Sequence, residues 1–272
     1  MRFLFLGDIF GRTGRTAVIE ELPGLRQKLR LDAVVVNGEN AAGGFGITQD
    51  IAESLFEAGA DCITTGNHAF DQKESIRFFD DERRLLRPAN FPPSNPGRGA
   101  GLFETANGFR LLVIHVHGQR FMAPMDDMPP AVERELEGIT LGREVDAIIV
   151  DVHAEATSEK YALGHWLDGR VSLVVGTHTH IPTADTQILP GGTAFQADAG
   201  MCGDYDSVIG MEKSVPVESL VTKMRGPRMQ PAAGPATLCG VVVETDPASG
   251  LAISASPLRM GGRLSQAFPD HP

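Results

Sequence analysis

Two histidines stand two residues apart in "GTHTH" (176–180), directly after the apolar run Val171-Ser172-Leu173-Val174-Val175. The same kind of ending recurs along the chain. "RFLFLGD" (2–8) ends on Asp8, "DAVVVNGEN" (32–40) on Glu39 and Asn40, "DCITTGNH" (61–68) on Asn67 and His68, and "VDAIIVDVH" (145–153) on His153. Apolar runs that finish in a carboxylate, amide or imidazole offer mixed oxygen and nitrogen donors with no thiolate. That chemistry suits manganese, iron, zinc or cobalt rather than a cysteine-rich structural zinc site. The donors outnumber the needs of one ion with open positions, so two ions sharing a carboxylate fit better. Glu39, with two oxygens on a central strand, is the natural bridge. Two metals about 4 Å apart hold a bridging hydroxide and clamp a phosphoryl oxygen. His178 and His180 point the same way along an extended segment, so each can serve one ion.

One histidine at a strand end is ordinarily a hydrogen-bonding loop residue; several such coincidences on one sheet edge are what carries the metal reading. His115 and His117 form a second H-x-H pair in "VIHVH" and are the rival ligands, with structural or supporting roles favoured. His165, beside Trp166 in a helical stretch, reads as packing, and His271 lies in the tail. Asp198, Asp204 and Asp206, in "ADAGMCGDYD", read as turn residues. "GDIFGRTGRT" (7–16) fails as a phosphate loop because Ile9 and Arg15 stand where Gly and Lys are required. Its backbone, like that of "GENAAGGFG" (38–46), can still present N–H groups to an anion.

The elements behind these residues alternate. Strands are expected over 2–7, 32–38, 61–67, 145–153 and 171–175. Helices are expected over 15–29 with a kink or break at Pro23, after a Thr48 cap, and over 72–79, 131–139 and 158–170. Residues 83–98 read as loop, and 101–118 as a hairpin turning at Asn107-Gly108. The last third reads as antiparallel β with hairpins near 189–194 and 245–252, and 262–272 as a frayed tail. Strand–helix alternation implies a layered α/β fold with mostly parallel strands, whose carboxyl ends form the ligand crevice. No linker divides the chain, so residues 1–272 read as a single domain.

The net charge of −11 and the scarcity of Trp and Tyr exclude a long nucleic acid as partner and leave room for a small phosphate ester. No apolar run is long enough for a membrane span, the N-terminus is no signal peptide, and Cys62, Cys202 and Cys239 read as reduced core thiols. The expected location is the cytoplasm.

The ordered set "GD" (7–8), "GEN" (38–40), "GNH" (66–68), His153 and "GTHTH" (176–180) resembles the calcineurin-like metallophosphoesterases, and more closely their YmdB-like branch of 2′,3′-cyclic nucleotide phosphodiesterases. The resemblance spans nearly the whole chain. It implies an α/β/β/α metallophosphoesterase-like sandwich holding two divalent or trivalent transition-metal ions. Asp8 and His180 would bind the first metal, Asn67, His153 and His178 the second, and Glu39 both. His68 would be the catalytic histidine, serving as general acid to the leaving oxygen. Two departures stand out: Phe10 replaces the histidine of the D-x-H motif, and Glu39 replaces the bridging aspartate. Asn40 is placed to fill the position Phe10 vacates, which hardens that site and favours iron or manganese over zinc. Asp71 is a candidate to orient His68.

The function expected is hydrolysis of a small phosphodiester such as a 2′,3′-cyclic nucleotide by a metal-bridging hydroxide, in a possible homo-oligomer. The alternatives are a phosphomonoesterase or 5′-nucleotidase on the same site, or a metal-dependent nucleotide-binding regulatory module.

Overall fold

In the computed structural model, which describes residues 1–269, two β-sheets pack face to face with helices on both outer faces. The chain begins β1 (Arg2–Leu6), α1 (Gly11–Leu29), β2 (Ala33–Asn37), α2 (Gln49–Glu57), β3 (Cys62–Thr64), α3 (Phe78–Asp81) and β4 (Leu85–Leu86). It continues β5 (Ala100–Glu104), β6 (Arg110–His117), α4 (Met128–Leu136), β7 (Ala147–His153), α5 (Thr157–Leu167) and β8 (Leu173–Thr177). The last part is β9 (Gln187–Ile188), β10 (Ala194–Gln196), β11 (Gly203–Asp204), α6 (Ser214–Thr222), β12 (Ala236–Thr245) and β13 (Ala252–Gly261).

The first sheet runs β11-β12-β1-β2-β3-β4, with β13 on the free side of β12; β1 to β4 are parallel and β12 closes antiparallel on β1. The second runs β5-β6-β7-β8-β10-β9, parallel from β6 to β10.

The layers follow from the two-residue period of a strand. Leu4 and Leu6 of β1 face outward onto Val18, Leu22 and Leu25 of α1, while Phe3 and Phe5 face the second sheet. Across that seam lie Val113, Ile149 and Val175; on the far side, Ile148, Val150 and Val152 meet Val132 of α4 and Leu163 of α5. Strands apolar on both faces demand cover on both faces, and the four-layer order supplies it. Each fully buried Phe of β1 contributes about 1.5–3 kcal/mol.

Several expectations are corrected here. Helix α1 runs unbroken through Pro23; the carbonyl that proline cannot pair belongs to half-buried Ile19, near solvent. The stretch read as loop contains β4, whose Ile63↔Leu85 pairing extends the first sheet. The β-rich third contains a helix, α6, none of whose residues is buried. The 72–79 helix is a short 3₁₀ turn, Lys73–Ser75, followed by α3. The end is not frayed through Pro269: Ala267 bridges back to Arg259, and Phe268 lies under the Lys28 ammonium at 4.0 Å. The Thr48 cap and the hairpin turning at Gly108 are present as expected.

Candidate metal centre

The parallel strands of both sheets end along one edge, and the polar residues beyond them meet there. Asp8, Glu39, Asn40, Asn67 and His68 come from the first sheet, and His153, His178 and His180 from the second.

Hydrogen bonding fixes the tautomer of His153. Thr177 donates its hydroxyl proton to Asp151 Oδ1 at 2.8 Å, so the contact of 2.9 Å between His153 Nδ1 and Thr177 Oγ1 requires an Nδ1–H donor. Burial, with the neighbouring His115, holds the His153 pKa well below its ordinary value, so the ring is neutral and Nε2 carries a lone pair. That lone pair faces Glu39 Oε2 at 2.5 Å, Asn67 Oδ1 at 3.1 Å and His178 Nδ1 at 3.1 Å. Glu39 Oε2 is buried and makes no hydrogen bond among the described residues. Such acceptors repel unless they share a cation; donors 2.0–2.2 Å from one ion stand about 3 Å apart. The donor atoms of Glu39, His153 and His178 all lie within 4.8 Å of one another.

A second convergence repeats this logic. His180 Nδ1 is 2.7 Å from the Ile209 carbonyl, which only accepts, so Nδ1 carries a proton and in the neutral ring Nε2 is a lone pair. Asn40 donates Nδ2 to the Gly44 carbonyl at 3.0 Å, which turns its Oδ1 toward His180 Nε2, 3.1 Å away. Asp8 Oδ1 lies 4.0 Å from the same nitrogen. Burial raises the Asp8 pKa well above its usual range, reinforced by the negative charges of Asp198, Glu39 and Asp151; burial also raises that of Glu39, against the pull of the nearby imidazoles. Buried carboxylates short of countercharge, and two places where acceptors face each other, fit a pair of cations. Gly66 belongs to this cradle, since a Cβ there would run into Glu39 Oε2 and His153 Nε2.

The loop carrying His178 and His180 is not extended. Both have positive φ, 96° and 68°, a strained choice for histidine that the surroundings must enforce. Fully buried Lys160 of α5 donates to the Thr177 carbonyl and to Asp198 Oδ2, each at 2.8 Å. Asp198 also accepts from Thr179 N at 3.1 Å and Thr179 Oγ1 at 2.7 Å. Asp198 is therefore an anchor for the histidine loop as well as a turn residue, since its Oδ1 accepts from Gly200 N at 2.9 Å. The bend sends His178 to Glu39 and His153, and His180 to Asn40. Neither Asp198 nor Lys160 carries a sequence signal for this pairing.

His68 turns away from the donors. Its backbone N donates to Glu39 Oε1 at 3.1 Å, its Nδ1 lies 2.7 Å from Asp71 Oδ2, and its ring lines the cavity of about 390 Å³ above the donors. Asp71 thus orients His68. Phe10 makes an edge contact with His180 at 5.2 Å and packs with Met201 and Met211, offering no ligand atom.

A profile of the YmdB-like protein family matches residues 4–258. The chain belongs to the YmdB-like family. It is 46% identical over 246 residues, covering 90% of this chain and 92% of the relative, to a 2′,3′-cyclic-nucleotide 2′-phosphodiesterase of Bacillus subtilis strain 168. It is 39% identical over 215 residues, 77% of this chain and 75% of the relative, to a putative phosphatase/phosphodiesterase of Mycoplasma pneumoniae. Among solved structures, a hypothetical protein from Thermus thermophilus superposes with a TM-score of 0.88 at 41% identity, covering 97% of this chain and all of that one. A novel phosphatase of Mycoplasma pneumoniae superposes with a TM-score of 0.87 at 33% identity, covering 96% and 93%.

In this YmdB-like chain the remaining candidates fall outside the donor clusters. His115 and His117 lie fully buried behind His153, with ring centroids 6.2 Å from it. His115 pairs with Asp151 at 3.2 Å. Burial would raise the pKa of Asp151, but His115, Thr64 and His153 outweigh it and hold the carboxylate below its usual range. Among the described residues His117 has no hydrogen bond at either ring nitrogen, and burial with the adjacent His115 lowers its pKa to about 4. His165 is exposed on α5 with its ring 6.2 Å from that of Tyr161, and His271 lies outside the described residues. Asp204 accepts from the backbone N–H of Asp206 and Gly234, as a turn residue does. In the stretches around Gly7 and Gly38, the N–H groups of Gly7, Ile9, Phe10 and Gly11, and of Gly38, Ala41, Ala42 and Gly44, go to backbone carbonyls. Cys62, Cys202 and Cys239 are free and buried, and no described helix is long and apolar enough to cross a membrane.

Proposed function

We propose that this chain is a dinuclear metal-dependent phosphodiesterase that hydrolyses small phosphodiesters, with 2′,3′-cyclic nucleotides as substrate class. The observation that carries the reading is the pair of acceptor-to-acceptor contacts, His153 Nε2 against Glu39 Oε2 and His180 Nε2 against Asn40 Oδ1. Glu39, Asn67, His153 and His178 would hold one ion, Asp8, Asn40 and His180 the other, with Glu39 serving both. The oxygen-rich, thiolate-free set favours iron or manganese over zinc. When bound, the ions supply Lewis-acid charge neutralisation on phosphorus and a water of lowered pKa as nucleophile.

The chain's own residues do the rest. Asp71 accepts from His68 Nδ1–H, so His68 acts as the acid in its imidazolium form, with the second proton on Nε2 toward the cavity. As water adds to phosphorus and the P–O bond to the ribose 2′- or 3′-oxygen breaks, His68 gives that oxygen its proton; the product is a phosphomonoester. The buried thiols suit a reducing compartment, and the cytoplasm is the proposed location.

The test compares kcat/KM for 2′,3′-cyclic AMP, bis(p-nitrophenyl) phosphate and p-nitrophenyl phosphate on metal-loaded protein. Diester turnover well above monoester turnover is expected. Monoester preference would instead support a phosphomonoesterase, and binding of cyclic AMP without turnover a regulatory module.

A further inference from the structure

A second and larger cavity, about 820 Å³, adjoins the metal site. It lies between α6 and the 223–229 segment, and it meets the metal cavity of about 390 Å³ at Phe45 and Met229, which line both. Three cations line it, Lys223, Arg225 and Arg228, and no carboxylate does. Among the described residues none of the three side chains makes an ion pair or hydrogen bond, and all three are exposed. This is a local concentration of positive charge on a chain of net charge −11. The wall beside the cations is apolar: Val215, Pro216 and Leu220 of α6, with Met229 at the junction. At the same junction Phe45 stands edge-on to His68, ring centroids 5.2 Å apart.

Resting on the phosphodiesterase reading, we propose that this groove is a subsite for the ribonucleotides preceding a terminal 2′,3′-cyclic phosphate, so that the preferred substrate is a short oligoribonucleotide bearing that end. The chemistry of the substrate sets the direction. A 2′,3′-cyclic phosphate occupies both hydroxyls of its ribose, so it can only end a chain, and the rest of the strand must leave through the 5′-oxygen. With the cyclic phosphate over the metal donors beside His68, that strand needs an exit that accepts phosphates and bases. The groove offers cations for the phosphodiester charges and an apolar wall with an aromatic ring for the bases, the combination by which single strands are held without sequence reading. Metal cavity and groove together have room for more than one nucleotide, whereas a mononucleotide would leave the groove and its three cations unused. The reach is short, so the acidic surface elsewhere still excludes a long nucleic acid.

The test uses the full chain, metal-loaded, at low salt. Substrates are 2′,3′-cyclic AMP, a tetraribonucleotide ending in 2′,3′-cyclic phosphate, and bis(p-nitrophenyl) phosphate. The wild type is compared with the triple variant Lys223→Gln, Arg225→Gln, Arg228→Gln. The wild type should favour the tetranucleotide over the mononucleotide by tenfold or more in kcat/KM, chiefly through KM. The variant should lose that preference while turning over the mononucleotide and bis(p-nitrophenyl) phosphate unchanged. Independently of turnover, fluorescence anisotropy of a 5′-labelled tetraribonucleotide with a 3′-phosphate should show binding at least tenfold weaker in the variant. Wild-type binding should fall steeply with added KCl, as it does when phosphate contacts release counterions.

Equal kcat/KM for mononucleotide and tetranucleotide, or equal tetranucleotide affinity in the two proteins, would overturn the proposal. So would a wild-type oligomer that Leu220→Asp dissociates with the tetranucleotide affinity unchanged, because the groove wall would then belong to a second copy of this chain. Failure of the phosphodiesterase reading looks different: neither the mononucleotide nor bis(p-nitrophenyl) phosphate is hydrolysed, and the anisotropy comparison still decides the groove.

Discussion

His68 stands beside the proposed metal donors without joining them. Asn67 turns its Oδ1 to His153, while the next residue turns its ring to Asp71 and the cavity. His68→Ala should therefore keep its metal content and melting temperature. Its turnover of a 2′,3′-cyclic nucleotide should fall by about 10²–10⁴-fold, the contribution of a general acid. The loss should shrink for bis(p-nitrophenyl) phosphate, whose leaving group needs little protonation; equal losses for good and poor leaving groups would remove His68 from the acid role.

His117 poses a different question. It is fully buried, and its pKa of about 4 lies below that of an exposed imidazole. The unfolded chain then binds the proton more readily than the folded one, so the stability that His117 contributes is complete above about pH 6.5 and is lost as pH falls toward 4. Between pH 6.5 and 5 this amounts to about 2 kcal/mol. Urea unfolding of wild type and His117→Leu at these two pH values should show a slope smaller by that amount in the variant. Identical slopes would mean that His117 is protonated in the fold.

At the scale of elements, the residues that bear donors were legible and those that hold them were not. Asp8, Glu39, Asn40, Asn67, His153, His178 and His180 each follow an apolar run, and the run announces the strand end. The bend that parts His178 from His180 was not legible, because it depends on Lys160 and Asp198, which are 38 residues apart in sequence. A lysine in a helix reads as solvated until its partner is known. Removing one partner of a buried pair strands the other, at a cost of about 3–5 kcal/mol. Lys160→Met should lower stability by that amount in urea unfolding and release metal from the loop; adding Asp198→Asn should restore part of the stability. A Lys160→Met protein as stable and metal-rich as wild type would show that the pair does not hold the loop. Helix α6 escaped the sequence reading for the opposite reason. Its apolar residues Val217, Leu220 and Val221 are exposed, so they follow no one-sided pattern, and Pro216 sits in its first turn.

At the scale of the whole molecule, two sheets bring strand ends from distant parts of the chain to one edge. The two-residue period in β1 and β7, apolar on both faces, required two covered faces and so a layered fold. Which strand neighbours which was not legible: β12, more than 200 residues from β1 in sequence, pairs with it through the register Phe3↔Val243, and no local pattern announces a partner so distant. At that edge Glu39 of the first sheet meets His153 of the second.

The central claim is that this meeting place holds two cations. Metal-free protein titrated with Mn²⁺ under anaerobic conditions, with bound metal measured on the same samples as cyclic-nucleotide turnover, tests it most directly. Activity should rise until about two ions are bound per chain and then level off, and Glu39→Gln should bind fewer than two. Full activity at one bound ion per chain would contradict the account.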